Sequence, residues 1–207
     1  MSEEIFRTVA RDSEEILEEK RSEFIAAVRR VATEEEAMEF VRARKKLHPD
    51  ARHTVFAYLL RKGAARYCDD SEPQGTAGMP TLEAIRRAGV EDVVVVTTRY
   101  FGGILLGAGG LTRAYAGAAH LALAAAGVTE YVPFADYLLD CAYSDHPKIE
   151  NELARMGITD TEATFSDRVQ LRVGVPAEMG DALCRRMVEL TAGRCVPAEL
   201  GRRMGTK

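Results

Sequence analysis

The chain has 207 residues, of which 46% are hydrophobic and 29% charged, with a formal net charge of −4 at pH 7. That composition is globular rather than disordered, and the charge excludes a strongly cationic nucleic-acid module, so nucleic-acid binding would need a local patch. The four cysteines lack the paired spacing of a structural zinc site, and neither a metal nor a cofactor is assigned.

The acidic start, residues 1–4, has no apolar stretch, so no leader is expected and the expected location is cytoplasmic. Residues 5–10 read as a short strand and 22–31 as a second, with Phe24, Ile25 and Val28 as its apolar members. Thr33 followed by Glu34, Glu35 and Glu36 is a helix start: a hydroxyl cap, then acids that favour the positive end of the helix dipole. Ala37, Phe40, Val41 and Arg44 continue at helical spacing until His48-Pro49-Asp50 stops the helix. Residues 53–60 are aromatic and β-branched, the pattern of a strand.

Residues 69–78, Asp69-Asp70-Ser71-Glu72-Pro73-Gln74-Gly75-Thr76-Ala77-Gly78, are turn formers throughout and predict a loop. A short helix over 79–88 follows, with Pro80 tolerated in its first turn. Four valines at 93–96 read as a strand buried on both faces, and 114–126, rich in alanine and leucine, as a helix packed on all sides. Between Val93 and Thr129 the only charges are Arg99 and Arg113, but glycines interrupt every apolar run, so no membrane span is expected.

Near Tyr131-Val132-Pro133 the character changes. A strand at 137–143, a helix at 147–156, a hairpin of 158–165 with 169–175, a helix at 177–190 and a strand at 194–197 make a βαββαβ order. The tail 201–207 is expected to fray. The fold class expected is α+β, in two domains over 1–133 and 134–207.

Two constellations are candidates for function. In the loop, Asp69, Asp70 and Glu72 can hold a divalent cation or accept from amides and arginines, while Gly75, Thr76 and Gly78 let the backbone approach a ligand. In the second, Arg99, Tyr100, Phe101, Gly102 and Gly103 leave the buried strand, and Gly107, Gly109, Gly110 and Arg113 lead into the helix. The free amides of that helix start, with Arg99 and Arg113 nearby, form a candidate anion site, though neither a P-loop nor a GxGxxG spacing is present. A buried arginine needs a partner, and the acidic loop is the one at hand. His48 and His53 fit a helix cap and a half-buried strand residue better than a catalytic pair. No catalytic residue is assigned, since no Ser-His-Asp, Cys-His or HExxH pattern occurs.

The runs His48–Ala51, 69–78 and Thr98-Arg99-Tyr100-Phe101-Gly102-Gly103 through Arg113-Ala114-Tyr115 resemble the hallmark runs of the IMPACT / YigZ family. Ser71 departs from the family's usual glycine and Gln74 from its commoner serine. The resemblance covers the whole chain. It implies an N-terminal domain similar to domain 2 of ribosomal protein S5, with left-handed crossovers, and a ferredoxin-like C-terminal domain resembling domain V of elongation factor G. Eukaryotic members of that family inhibit an eIF2α kinase pathway by competing for its activator on the ribosome. The resemblance therefore implies a translation-associated protein whose partners are RNA, the ribosome, a nucleotide phosphate or a protein of translation control. The alternatives are a metal-dependent enzyme on a small phosphorylated substrate and a protein-docking module.

Overall fold

The computed structural model describes residues 5–206; the acidic start at 1–4 and Lys207 lie outside the described residues. The chain is α+β and divides into two compact units, one of residues 6–130 and one of Ile5 with residues from 131 onward.

The first unit begins with β1 (Phe6–Val9), β2 (Ser13–Glu19) and β3 (Ser22–Arg30), followed by α1 (Glu34–Leu47), β4 (His53–Leu59) and β5 (Ala65–Cys68). It continues with α2 (Gly78–Ala88), β6 (Val93–Tyr100) and α3 (Gly107–Ala126), and the division falls inside β7 (Val128–Cys141). Its main sheet runs β2-β3-β6-β4-β5, antiparallel throughout. Period-2 alternation sends Val93 and Val95 into a core with α2 and α3, and Val94 and Val96 into a second core with α1. Helix α1 starts as its sequence dictates: Thr33 Oγ1 accepts from the Glu36 amide at 3.2 Å, and the Glu36 carboxylate accepts from the Ala32 amide at 2.7 Å.

The second unit takes the rest of β7, then α4 (His146–Arg155), β8 (Thr161–Phe165), β9 (Val169–Pro176), α5 (Gly180–Leu190) and β10 (Ala198–Thr206). These four strands lie β10-β7-β9-β8 and pair antiparallel. Ile149 and Leu153 of α4 and Leu183 and Met187 of α5 pack against Leu139, Leu171 and Val173.

The structure corrects several expected boundaries. Strand β2 was not anticipated, because its sequence SEEILEE offers few apolar residues, and its register comes from pairing Ile16 with Ile25 on β3. Strand β6 runs on through Thr97–Tyr100, and α3 is longer than the expected 114–126, its start at Gly107 falling where the glycine turn was expected to open a helix N-terminus. The last strand lies at Ala198–Thr206, not 194–197, and the tail 201–206 is not frayed: it pairs with β7 from Tyr131 to Asp136 past a bulge at Glu199/Gly201. That strand is held by backbone hydrogen bonds and is mostly exposed, so it leaves no hydrophobic pattern to read.

Candidate functional site

The register of the first sheet sets the site. Arg99 lies directly opposite Phe24 on β3 and His53 on β4, so three side chains of different chemistry stand in one row. Arg99 is 5% exposed and donates through one terminal nitrogen to Glu72 Oε1 at 2.7 Å. Its other terminal nitrogen reaches Ser22 Oγ at 3.4 Å. The Tyr115 hydroxyl, from α3, donates to the same Glu72 oxygen at 2.8 Å, and its ring meets Phe24 edge-on at 5.0 Å. Burial pushes the Tyr115 hydroxyl far above its ordinary pKa, and the Glu72 charge beside it adds to the shift, so it stays a donor. His53 Nδ1 lies 2.8 Å from the Asp70 carbonyl oxygen, which can only accept; the proton therefore sits on Nδ1. Its Nε2 stands 3.8 Å from Glu72 Oε1.

Each acid of the loop has a different task. Asp69 gathers the loop: Oδ2 accepts from the Gly75 amide at 2.9 Å, and Oδ1 from the Ala77 and Gly78 amides at 3.0 and 2.7 Å. It thereby caps α2, whose own N-cap residue Ala77 offers no side-chain bond. Asp70 accepts from the Thr54 amide at 2.7 Å. Glu72 holds Arg99 and Tyr115. The three carboxylates are thus committed to separate partners, and among the described residues no group of three His, Cys, Asp or Glu side chains is placed to hold a metal ion. Thr76 closes a local turn by donating to the Pro73 carbonyl at 2.6 Å. Asp70 and Ser71 both have positive φ, 41° and 71°, so the left-handed backbone persists with serine where the family usually has glycine. Such residues cost on the order of 1–2 kcal/mol each, offset here by the hydrogen bonds that pin Asp70.

A cavity of about 350 Å³ opens over this row. Its walls include Arg52, His53, Ser71, Glu72 and Arg99, with Phe101, Leu105, Leu106 and Leu111 on the apolar side. Gly107 and Ala108, the first residues of α3, also line it. The start of α3 has no side-chain cap and no acid in its first turn, so the positive end of its dipole lies uncompensated at this space.

The expected site residues are distributed unevenly. Glu72, Arg99, Phe101 and Gly107 line the cavity. Asp69, Asp70, Gly75 and Thr76 shape the loop behind it. Gly102 admits the β2–β3 turn, since a Cβ there would collide with the Arg21 backbone, and Gly103 takes φ +82°. Gly109 and Gly110 belong to the first turn of α3 but are not cavity walls, and Arg113 is exposed and also lies outside the lining.

Tyr100 points the other way. As the strand neighbour of Arg99 it projects to the α1 face, where its hydroxyl is 3.0 Å from His48 Nδ1. Arg44 donates to His48 Nε2 at 3.0 Å, so His48 Nδ1 donates to Tyr100. Burial, and then the positive Arg44, hold His48 below its ordinary pKa. Residues not among the expected site residues also enter the site: Arg52, His53, Ser22 and Tyr115. Residues 53–58 of β4 are all buried, so no alternation singles out His53, and Tyr115 falls on the inward face of α3 with Leu111 and Ala118.

An Impact N-terminal domain matches residues 20–123, and a domain of unknown function, DUF1949, matches residues 139–194. IMPACT family member YvyE of Bacillus subtilis is 38% identical over 177 residues, covering 84% of this chain and 82% of that protein. The chain belongs to the IMPACT family. Family member YigZ of Escherichia coli is 34% identical over 180 residues, 84% of this chain and 87% of the relative. A crystal structure of a hypothetical protein shares 31% identity and covers 96% of this chain and 98% of its own, with a TM-score of 0.61. The cavity row and the loop lie within the Impact N-terminal match.

Proposed function

We propose that this IMPACT-family protein works around translation as a binding protein, and that its cavity takes a phosphate group of RNA or of a nucleotide. The observation that carries this reading is the uncapped start of α3 opening into the same space as Arg52 and Arg99. The charges of Arg99 and Glu72 largely cancel. Arg52 and the helix dipole then leave the cavity net positive, which suits an anion. Phe101, 39% exposed on the cavity wall, offers a face for a base. The translation setting rests on the family resemblance alone.

The same proposal includes the architecture. The antiparallel order β10-β7-β9-β8 with two helices on one face supports a ferredoxin-like second domain over 134–207. The first, over 1–133, is read as similar to domain 2 of ribosomal protein S5, and a division after Glu130 supports the boundary.

Arg52→Ala is the test, because Arg52 lines the cavity without holding the buried ion pair. Fluorescence anisotropy with a short 5′-phosphorylated RNA at several salt concentrations should show weaker binding and a salt slope reduced by about one. Unchanged affinity in a folded Arg52→Ala protein would overturn the reading.

A further inference from the structure

Two buried polar atoms on the cavity wall have no use in the network described above. Glu72 is 8% exposed and His53 9% exposed, and both line the cavity. All the donors that reach Glu72 converge on Oε1; among the described residues no hydrogen bond reaches Oε2. His53 spends Nδ1 on the Asp70 carbonyl, and its Nε2 makes no hydrogen bond among the described residues, the nearest acid oxygen being 3.8 Å away. In the neutral ring that Nε2 is an acceptor. Neither atom belongs to the fully sealed orphan atoms of the interior, which include Thr97 Oγ1 and Arg99 Nε, so both keep access to the cavity. Two polar atoms held in place on buried side chains, without a partner among the described residues and on residues lining one space, mark the place of a ligand's hydrogen-bonding group.

The chemistry of that group follows from the surroundings. Two acceptors side by side call for a donor. A cationic amine is disfavoured by Arg99, Arg52 and the positive end of α3 around the same space. A neutral hydroxyl fits, since it donates to one atom and can accept from another. An anion at the helix start, hydroxyls on a buried carboxylate and a flat group against an aromatic ring are the three parts of a nucleotide, and a carboxylate is a common partner of ribose hydroxyls. A volume of about 350 Å³ is at the small end for a ligand cavity and suits a single nucleotide unit.

We infer that Glu72 and His53 form a ribose-hydroxyl subsite, so that the cavity selects a ribonucleotide unit over its deoxyribose counterpart. The inference rests on the phosphate reading and adds to it the sugar. The Nδ1–H of His53 fixes the ring and Arg99 fixes the carboxylate, so both acceptors are held in place before a ligand arrives.

The test is competition against a fluorescein-labelled five-nucleotide RNA bound to the full chain. The competitors are unlabelled RNA, DNA of the same sequence, and the ribo- and deoxyribonucleoside 5′-monophosphates. RNA should compete roughly tenfold better than DNA, the worth of one good hydrogen bond to a charged group, and the ribose monophosphate better than its deoxy form. Competition by the monophosphate at strand-like concentrations assigns the site to a free nucleotide; competition by strands alone assigns it to RNA, and both outcomes support the subsite. In His53→Asn, the side-chain amide can still donate to the Asp70 carbonyl while Nε2 is lost, and the preference for ribose should fall several-fold. Equal competition by RNA and DNA would overturn the subsite and leave the phosphate reading standing. No binding of any probe would overturn both.

Discussion

The two faces of β6 at its C-terminal end solve the same problem in different ways. On one face Arg99 is buried against Glu72, itself buried; on the other Arg44, 7% exposed, reaches Glu14 and His48. The Glu14 side chain is 47% exposed, so water shares the load of the Arg44 charge. Glu72 has no such help: its side chain is 4% exposed and it serves Arg99 and Tyr115 at once. The Arg99 face opens onto a cavity of mixed polar and apolar walls. The lesson is that burying a charge is a structural solution on either face. Arg44 Nε is also unpaired among the described residues but sealed from solvent, so what separates a candidate site from a brace is unused hydrogen-bonding capacity on residues that line a cavity, here Glu72 Oε2 and His53 Nε2.

The comparison breaks most sharply at the two glutamates. Glu72→Ala should cost about 3–5 kcal/mol in urea unfolding, because it strands Arg99 in the interior. Glu14→Ala should cost less, about 1–2 kcal/mol, because Glu14 is half exposed and water can take its place beside the buried Arg44. Equal losses would show that the two faces are energetically alike.

A smaller effect is expected from Asp69→Ala, which removes three amide acceptors and should cost about 2–3 kcal/mol. Hydrogen exchange at Gly75, Ala77 and Gly78 should accelerate selectively in that variant, since those are the amides Asp69 holds. Uniform exchange across the unit would show that Asp69 does not organise the loop by itself. Ser71→Gly should stabilise by about 0.5–1 kcal/mol, because glycine takes φ 71° without a Cβ penalty. A loss of stability would mean that the serine hydroxyl contributes to the loop.

The smallest effect is expected on the α1 face. His48 is held below its ordinary pKa, so its neutral form stabilises the fold. That contribution is complete above about pH 6.5, the value of the free side chain, and is lost as pH falls through the lower folded value. Protonation puts a hydrogen on Nε2 and breaks the bond from Arg44. The melting temperature of the native chain should therefore drop more between pH 7 and pH 5 than that of His48→Gln. Parallel profiles would remove His48 as the titrating group.

Part of this was legible in the residues. The loop 69–78 reads as turn formers, the four valines as a strand buried on both faces, and Thr33 with the glutamates after it as a helix start. The ion pair between the acidic loop and Arg99 also follows from the need of a buried cation for a partner, though which acid supplies it does not. Asp69, Asp70 and Glu72 are nearly adjacent, and only the left-handed turn at Asp70 and Ser71 sends them to three different targets. Tyr100 is grouped with Arg99 and Phe101 when the strand is read only over 93–96; with the strand extended to residue 100, the two-residue period puts Tyr100 on the other face from Arg99. His53 looks like an ordinary strand histidine until the register sets it beside Arg99.

The sequence by itself determined most of the local elements and the family, and it singled out the two loops of the candidate site, because caps, turn formers and hydrophobic periodicity act over a few residues. Tertiary structure alone decided that β10 is a strand over Ala198–Thr206, and that Glu72, His53 and Arg99 line one cavity with Tyr115 behind Glu72. Those contacts join residues brought together by sheet register and helix packing across 19 to 43 positions of chain, a distance over which no local preference carries information.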